Sequence, residues 1–127
     1  MDKKIVSFMK KLKKMPDFHR VKFVILYGSR ASGKANLMSD YDLAVYYEGG
    51  KDERFRFRVS ALGLGDNYDL QIFQDLPIYV RSEVLKGEVV YAEDLAFVGD
   101  AAYATIKEFE IFKKYYYDYL NRRPLVT

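Results

Sequence analysis

Residues 21–47 read VKFVILYGSRASGKANLMSDYDLAVYY, and this stretch decides the fold that we predict. Val21 to Tyr27 is an apolar, partly β-branched run of strand length, and Gly28-Ser29 ends it abruptly. Asp40 to Tyr47 has the same character and predicts a second strand. The residues between them, 30–38, predict a short helix or turn. The stretch therefore predicts two strands joined by a compact, glycine-containing connection.

The segments on either side alternate between helical and extended patterns. Before the stretch, apolar residues at helical spacing predict a helix over residues 2–15, which Pro16 ends. The apolar face of this first helix consists of Ile5, Phe8, Met9 and Leu12. A helix predicted over 51–62 has Phe55, Val59 and Leu62 on one face. In a helix predicted over 101–120 we expect the core-facing stripe to consist of Ile106, Phe109, Phe112, Tyr116 and Leu120. The remaining elements predicted are strands over 68–73 and 89–92, the latter at a sheet edge, and a helix over 78–85.

Length and composition indicate one folded domain. The chain has 127 residues, of which 50% are hydrophobic and 17% aromatic, so a disordered chain is excluded. The order of elements predicts an α/β (α+β) fold, a small mixed β-sheet with flanking helices. We expect a single domain over residues 1–127, with its core at about 20–92, its N-terminal helix at 2–15 and its C-terminal helix at 101–120.

Charge and hydropathy predict a soluble, cytoplasmic protein without a membrane span. The basic N-terminus lacks the apolar core of a signal peptide, and the longest apolar run is too short to cross a bilayer. The absence of cysteine agrees with a reducing compartment and excludes a thiol nucleophile. The net charge of +3 is mild, and the lysines of the first helix fit a solvated face, so we do not expect direct nucleic-acid binding.

Three carboxylates form the chemical centre of the sequence. Asp40 and Asp42 are two residues apart on a strand, so their side chains leave the same face. Asp69 opens the third predicted strand and reaches the same edge if that strand pairs beside the second. Negative charges this close repel each other, and a bound hard divalent cation neutralises that repulsion through its oxygen ligands. Such ions support in-line attack at phosphorus, with Asp69 as a further metal ligand or as a proton acceptor.

The segment GSRASGKANLMSDYDLAVYY resembles the Gly-Ser, ten-residue gap, Asp-x-Asp signature of the nucleotidyltransferase superfamily that includes DNA polymerase beta. Its compact form is most similar to the minimal nucleotidyltransferase branch. The resemblance implies the polymerase beta-like nucleotidyltransferase fold and a divalent cofactor, Mg²⁺ or Mn²⁺, with ATP as substrate. It assigns the triphosphate to Gly28 and Ser29 and the metals and catalysis to Asp40, Asp42 and Asp69. Arg30 is a further candidate for nucleotide binding.

Members of this branch often pair with a HEPN-domain toxin, so the resemblance implies an antitoxin that transfers AMP to a tyrosine of such a partner. Two alternatives stay open: a nucleotidyltransferase that acts on a small molecule, as the aminoglycoside enzymes do, and a non-catalytic antitoxin that neutralises its partner by binding. The C-terminal helix carries tyrosines that cannot all be buried, namely Tyr115, Tyr116, Tyr117 and Tyr119. We expect a homo- or hetero-oligomer contact there, because exposed tyrosines are favoured at interfaces.

Overall fold

The protein is described by a computed structural model, which covers residues 2–28, 31 and 40–122. Its strands are β1 (Val21–Tyr27), β2 (Tyr41–Tyr47), β3 (Tyr68–Ile72) and β4 (Glu88–Ala92). Its helices are α1 (Lys3–Lys13), α2 (Lys51–Ala61), α3 (Ile78–Val84) and α4 (Leu95–Arg122). Short 3₁₀ turns precede β1 and follow α2 and β3. The helix or turn predicted for residues 30–38 falls outside the described residues, apart from Ala31.

The four strands form one mixed sheet in the order β3-β2-β1-β4. β1 pairs antiparallel with both β2 and β4, whereas β2 and β3 run parallel. The C-terminal end of β1 therefore lies beside the N-terminal ends of the other three strands. β4 is an edge strand, as the sequence predicts, and the mixed sheet with flanking helices is confirmed.

Alternating side chains divide the sheet into two covered faces. Helices α1 and α2 cover one face, where the buried face of α1 packs on residues such as Val24, Leu43 and Val45. Helix α3 and the start of α4 cover the opposite face, which carries Phe23 and Ile25. The predicted apolar face of α1 is confirmed, since each of its members is at most 5% exposed: Ile5, Phe8, Met9 and Leu12.

The apolar face predicted for α2 is not its buried face. Phe55, Val59 and Leu62 are 61%, 46% and 66% exposed. The helix is held instead by Phe57 and Ala61, which are buried in the core. Phe57 packs on Tyr47 with ring centroids 4.5 Å apart. The contact with the end of β2 therefore decides which side of α2 faces the core. This packing outweighs the helical spacing of the apolar residues in the sequence.

The core-facing stripe predicted for the last helix is wrong. α4 begins at Leu95, earlier than predicted, and its contacts with the sheet come from its first turns, notably Phe97 and Ala101. The predicted stripe is largely exposed: Phe109 is half-buried, and the other four members are exposed, namely Ile106, Phe112, Tyr116 and Leu120. At 28 residues the helix is about 42 Å long, about twice the span of the strands beneath it. Its C-terminal half therefore extends past the sheet.

Candidate active site

A row of three side chains crosses one face of the sheet at the end where β1 stops. Tyr27 pairs with Asp42 across the antiparallel strands β1 and β2. Asp42 pairs with Asp69 across the parallel strands β2 and β3. Asp40 lies just before β2, two residues from Asp42 and on the same side by the alternation of the strand. The structure thus brings Asp69 beside Asp42, as the sequence predicts.

The acidic residues in this row repel one another. Asp42 is half-buried, and its pKa is raised, first by burial and then by the charges of Asp69 and Asp40. Asp40 and Asp69 are exposed, and Asp69 accepts a hydrogen bond of 2.9 Å from the amide of Gln71. Within residues 2–28, 31 and 40–122, no lysine or arginine forms an ion pair with these three acids. The cluster therefore favours a bound cation.

Gly28 brings the end of β1 against Asp42. Its φ of +77° lies in the left-handed region, which side chains other than glycine rarely adopt. A Cβ at this position would lie 2.5 Å from Oδ2 of Asp42. Glycine is therefore required both by the backbone conformation and by the space that the carboxylate occupies. This close approach leaves the backbone at the end of β1 beside the acidic row.

Tyr27 is a member of the row that the sequence analysis missed. Burial, together with the charges of Asp42 and Asp69, raises its pKa to about 12. The phenol therefore stays protonated under physiological conditions and offers a neutral hydroxyl at the floor of the site. Its position directly before Gly28 was the available signal, but its pairing with Asp42 follows from the strand register.

A cleft of about 300 Å³ opens beside the row. It is lined by Tyr27, Gly28, Ala31, Glu83, Lys86 and Gly87. The last three come from the end of α3 and the turn that leads into β4. Sequence reasoning gave no reason to join that turn to the site, because the turn is placed there by the pairing of β4 with β1.

Two of the predicted nucleotide-binding residues, Ser29 and Arg30, lie outside the described residues, so their phosphate contacts remain predictions. The single histidine, His19, is exposed and precedes the opposite end of β1. Over the described part of the chain, no helix is long and apolar enough to span a bilayer.

The acidic row fits a metal that substrate helps to bind. Among the described residues, no group of three or more acidic, histidine or cysteine side chains is already arranged to enclose an ion. A closed protein cage is therefore absent there, but Mg²⁺ is typically held by one or two carboxylates together with substrate phosphates and water. Asp42 with Asp40 or Asp69 supplies that donor set, and exposed carboxylates can turn toward an ion.

Residues 3–96 match the protein family described as "Polymerase beta, Nucleotidyltransferase". The match covers most of the chain, and the protein belongs to this family. Both the fold and the family that the sequence predicts are thus confirmed.

A relative in Methanocaldococcus jannaschii is provisionally named protein adenylyltransferase MJ1547. It is 34% identical to this chain over 74 residues, which are 57% of this chain and 57% of the relative. The aligned region thus spans little more than half the length of that curated protein.

Solved structures of toxin–antitoxin complexes share the fold. One complex with AMP-PNP contains a chain with a TM-score of 0.69 and 16% identity, covering 93% of this chain and 94% of that one. A chain in a complex named MntA-HepT has a TM-score of 0.63 and 15% identity, and the match covers 93% of this chain and 92% of that one. The third complex is a tri-AMPylated Shewanella oneidensis HEPN toxin with MNT antitoxin. Its matching chain has a TM-score of 0.64 and 15% identity, and the match covers 93% of this chain and 91% of that one. At these identities the likeness concerns the fold.

Proposed function

We propose that this protein transfers AMP from ATP to a tyrosine hydroxyl of a HEPN-domain partner and acts as the antitoxin of that pair. The observation that carries the proposal is the row formed by Asp42 and Asp69, set against the backbone of Gly28. In this reaction the acceptor oxygen attacks the α-phosphorus. The bond from that phosphorus to the bridging oxygen of the β-phosphate breaks, and pyrophosphate leaves.

The acidic residues divide the work of this reaction. Asp40, Asp42 and Asp69 would hold a divalent cation, Mg²⁺ or Mn²⁺, which when bound neutralises charge on the phosphates and lowers the barrier to attack. Asp69 is exposed and accepts one hydrogen bond from Gln71. Its other carboxylate oxygen is available either to contact the cation or to take the acceptor's proton. Asp42, which is half-buried between its neighbours, anchors the position of the cation.

The residues at the end of β1 orient the nucleotide. Gly28 holds the backbone at the end of β1 beside Asp42. In the proposed assignment the backbone N–H groups of this turn contact the phosphates, and Ser29 and Arg30 add further contacts. Tyr27 presents a protonated hydroxyl on the same face and can donate a hydrogen bond to a phosphate or ribose oxygen. Such positioning is a large part of catalysis in phosphoryl transfer.

A protein acceptor is supported by the name of the Methanocaldococcus jannaschii relative and by the complexes whose fold the chain shares. The exposed aromatic side of α4 offers a contact surface for such a partner, with Tyr115 and Tyr119 68% and 60% exposed. Large exposed aromatic residues are common at the centres of protein interfaces. We place the reaction in the cytoplasm, where ATP is available.

The test is a transfer assay with ATP labelled at its α-phosphate, Mg²⁺, and either a purified HEPN-domain partner or a lysate of the source cells. Asp42→Asn should reduce labelling of a protein band by at least about a hundredfold, because it removes a central ligand for the cation. Asp66→Asn is the matched control: Asp66 is exposed in the loop before β3 and outside the row. Chelation with EDTA should abolish labelling, and added Mg²⁺ should restore it.

The alternatives predict different results for labelling and for neutralisation of the partner's toxicity. Labelling of small acceptors but not of protein would replace the protein acceptor with an aminoglycoside-type substrate. Neutralisation of the partner by Asp42→Asn as efficiently as by the wild type would show that binding alone is sufficient. Equal protein labelling by Asp42→Asn and the wild type would refute the assignment of the site.

A further inference from the structure

The turn after α3 is fixed against the end of β1. Val84 is fully buried, and the backbone N–H of Gly87 donates a 2.9 Å hydrogen bond to its carbonyl. Gly87 packs so closely on β1 that a Cβ there would collide with the carbonyl oxygen of Leu26. Lys86 lies between these two anchored residues. Its backbone is therefore held close to Tyr27, the residue that follows Leu26.

Lys86 supplies positive charge to the cleft beside the acidic row. Among the described residues that line the cleft, it is the one cationic side chain. Glu83 on α3 is the one acidic side chain in the described lining. Asp42 lies beside Tyr27 and Gly28, which belong to the same lining. A polyphosphate bound in this cleft would need a cation to balance its charge, and Lys86 is the one that the described lining supplies.

The present partner of Lys86 is easily exchanged. Its Nζ atom lies 3.0 Å from Oε1 of Glu83, in a pair whose side chains are 71% and 67% exposed. Exposed pairs of this kind contribute little to stability. A phosphate carries more charge than a carboxylate and can accept from the ammonium group in the same way, so Lys86 can leave Glu83 for a phosphate at small cost.

We propose that Lys86 binds the phosphate groups of the nucleotide, and that Glu83 competes with them for its ammonium group. This inference rests on the proposed function and adds a residue from the α3–β4 turn to the same site. It assigns opposite effects to two residues that are neighbours in the cleft. Loss of Lys86 weakens nucleotide binding, whereas loss of the Glu83 charge strengthens it.

The experiment is isothermal titration calorimetry with AMP-PNP and, separately, with tripolyphosphate, both with Mg²⁺. Lys86→Gln should weaken binding of both ligands about tenfold, the loss expected for one charge-assisted hydrogen bond to phosphate. Glu83→Gln should strengthen binding about twofold to threefold, as removal of an exposed competing charge would. Lys86→Arg should recover most of the affinity. Lys51→Gln, which removes the same charge at the opposite end of the sheet, should bind like the wild type.

Steady-state kinetics give a second measurement, in which Lys86→Gln raises the KM for ATP with kcat little changed, because the contact is present before and during transfer. Wild-type affinity for both ligands in Lys86→Gln would overturn the inference and leave the proposed function intact. Weakened AMP-PNP binding with unchanged tripolyphosphate binding would assign Lys86 to the nucleoside and overturn the phosphate contact. A wild-type protein that binds neither ligand would overturn the proposed function together with the inference.

Discussion

Gly28→Ala tests whether the end of β1 is shaped around Asp42. The backbone φ at this position is +77°, and the new Cβ would lie 2.5 Å from Oδ2 and 3.4 Å from Cγ of the Asp42 side chain. The alanine therefore faces two separate penalties. One is the left-handed backbone conformation, and the other is the displacement of a half-buried carboxylate.

The magnitude follows from these two penalties. A non-glycine residue in the left-handed region costs about 1–2 kcal/mol, and overpacking against a fixed neighbour adds about 1 kcal/mol or more. We expect the free energy of unfolding to fall by about 2–3 kcal/mol, which for a domain of this size lowers Tm by about 8–15 °C. Transfer should decrease more strongly, by at least about a hundredfold, because Asp42 must leave its place in the row.

Gly63→Ala is the control, because Gly63 lies in the 3₁₀ turn after α2, outside the left-handed region, and its Cβ would meet no atom within 4 Å. Urea unfolding followed by circular dichroism measures the stability of both variants, and the labelled-ATP assay measures their activity. We expect Gly63→Ala to remain within about 0.5 kcal/mol of the wild type. If Gly28→Ala were equally stable and equally active, the reasoning about the approach of β1 to Asp42 would be refuted.

Three further changes give independent tests. Asp2→Ala should lower the free energy of unfolding by about 1–2 kcal/mol, because Asp2 caps α1 through the Lys4 N–H and accepts a hydrogen bond from the Tyr41 hydroxyl. Urea unfolding measures the change, and an unchanged unfolding curve would contradict this role. Gly99→Ala should raise the free energy of unfolding by about 0.5–1 kcal/mol, since Gly99 lies within α4 and an added Cβ would meet no atom within 4 Å. A lower Tm than that of the wild type would contradict this expectation. Tyr115→Ser with Tyr119→Ser should leave the melt unchanged but weaken partner binding at least about tenfold in calorimetry; undiminished binding would exclude this surface.

Much of the fold could be predicted because local patterns and tertiary packing agree. The apolar face of α1 and the strands β1 and β2 each bury the residues that their periodicity selects. In α2 and α4 the pattern and the packing disagree. Phe55 and Ile106 belong to regular apolar stripes but are more than half exposed, because a helix buries only the side that meets another element.

The candidate site could be predicted where it depends on residues close in sequence. Asp40 and Asp42 share a face because side chains alternate along a strand, and that alternation is a property of the backbone itself. Asp69 needed one further assumption, that β3 pairs beside β2, and the register of Asp42 with Asp69 bears it out. Tyr27 was missed because its membership in the row depends on antiparallel pairing across the sheet.

The sequence by itself determined the family, the strand that carries Asp42, and the end of β1 at Gly28, since these depend on residue types at short spacing. Only the tertiary structure decided which strands are neighbours, which side of α2 and α4 is buried, and that the turn holding Lys86 lies beside Gly28. The physical reason is the separation along the chain of the residues that interact. Backbone geometry links residues a few positions apart, whereas contacts between distant segments depend on how the whole core packs.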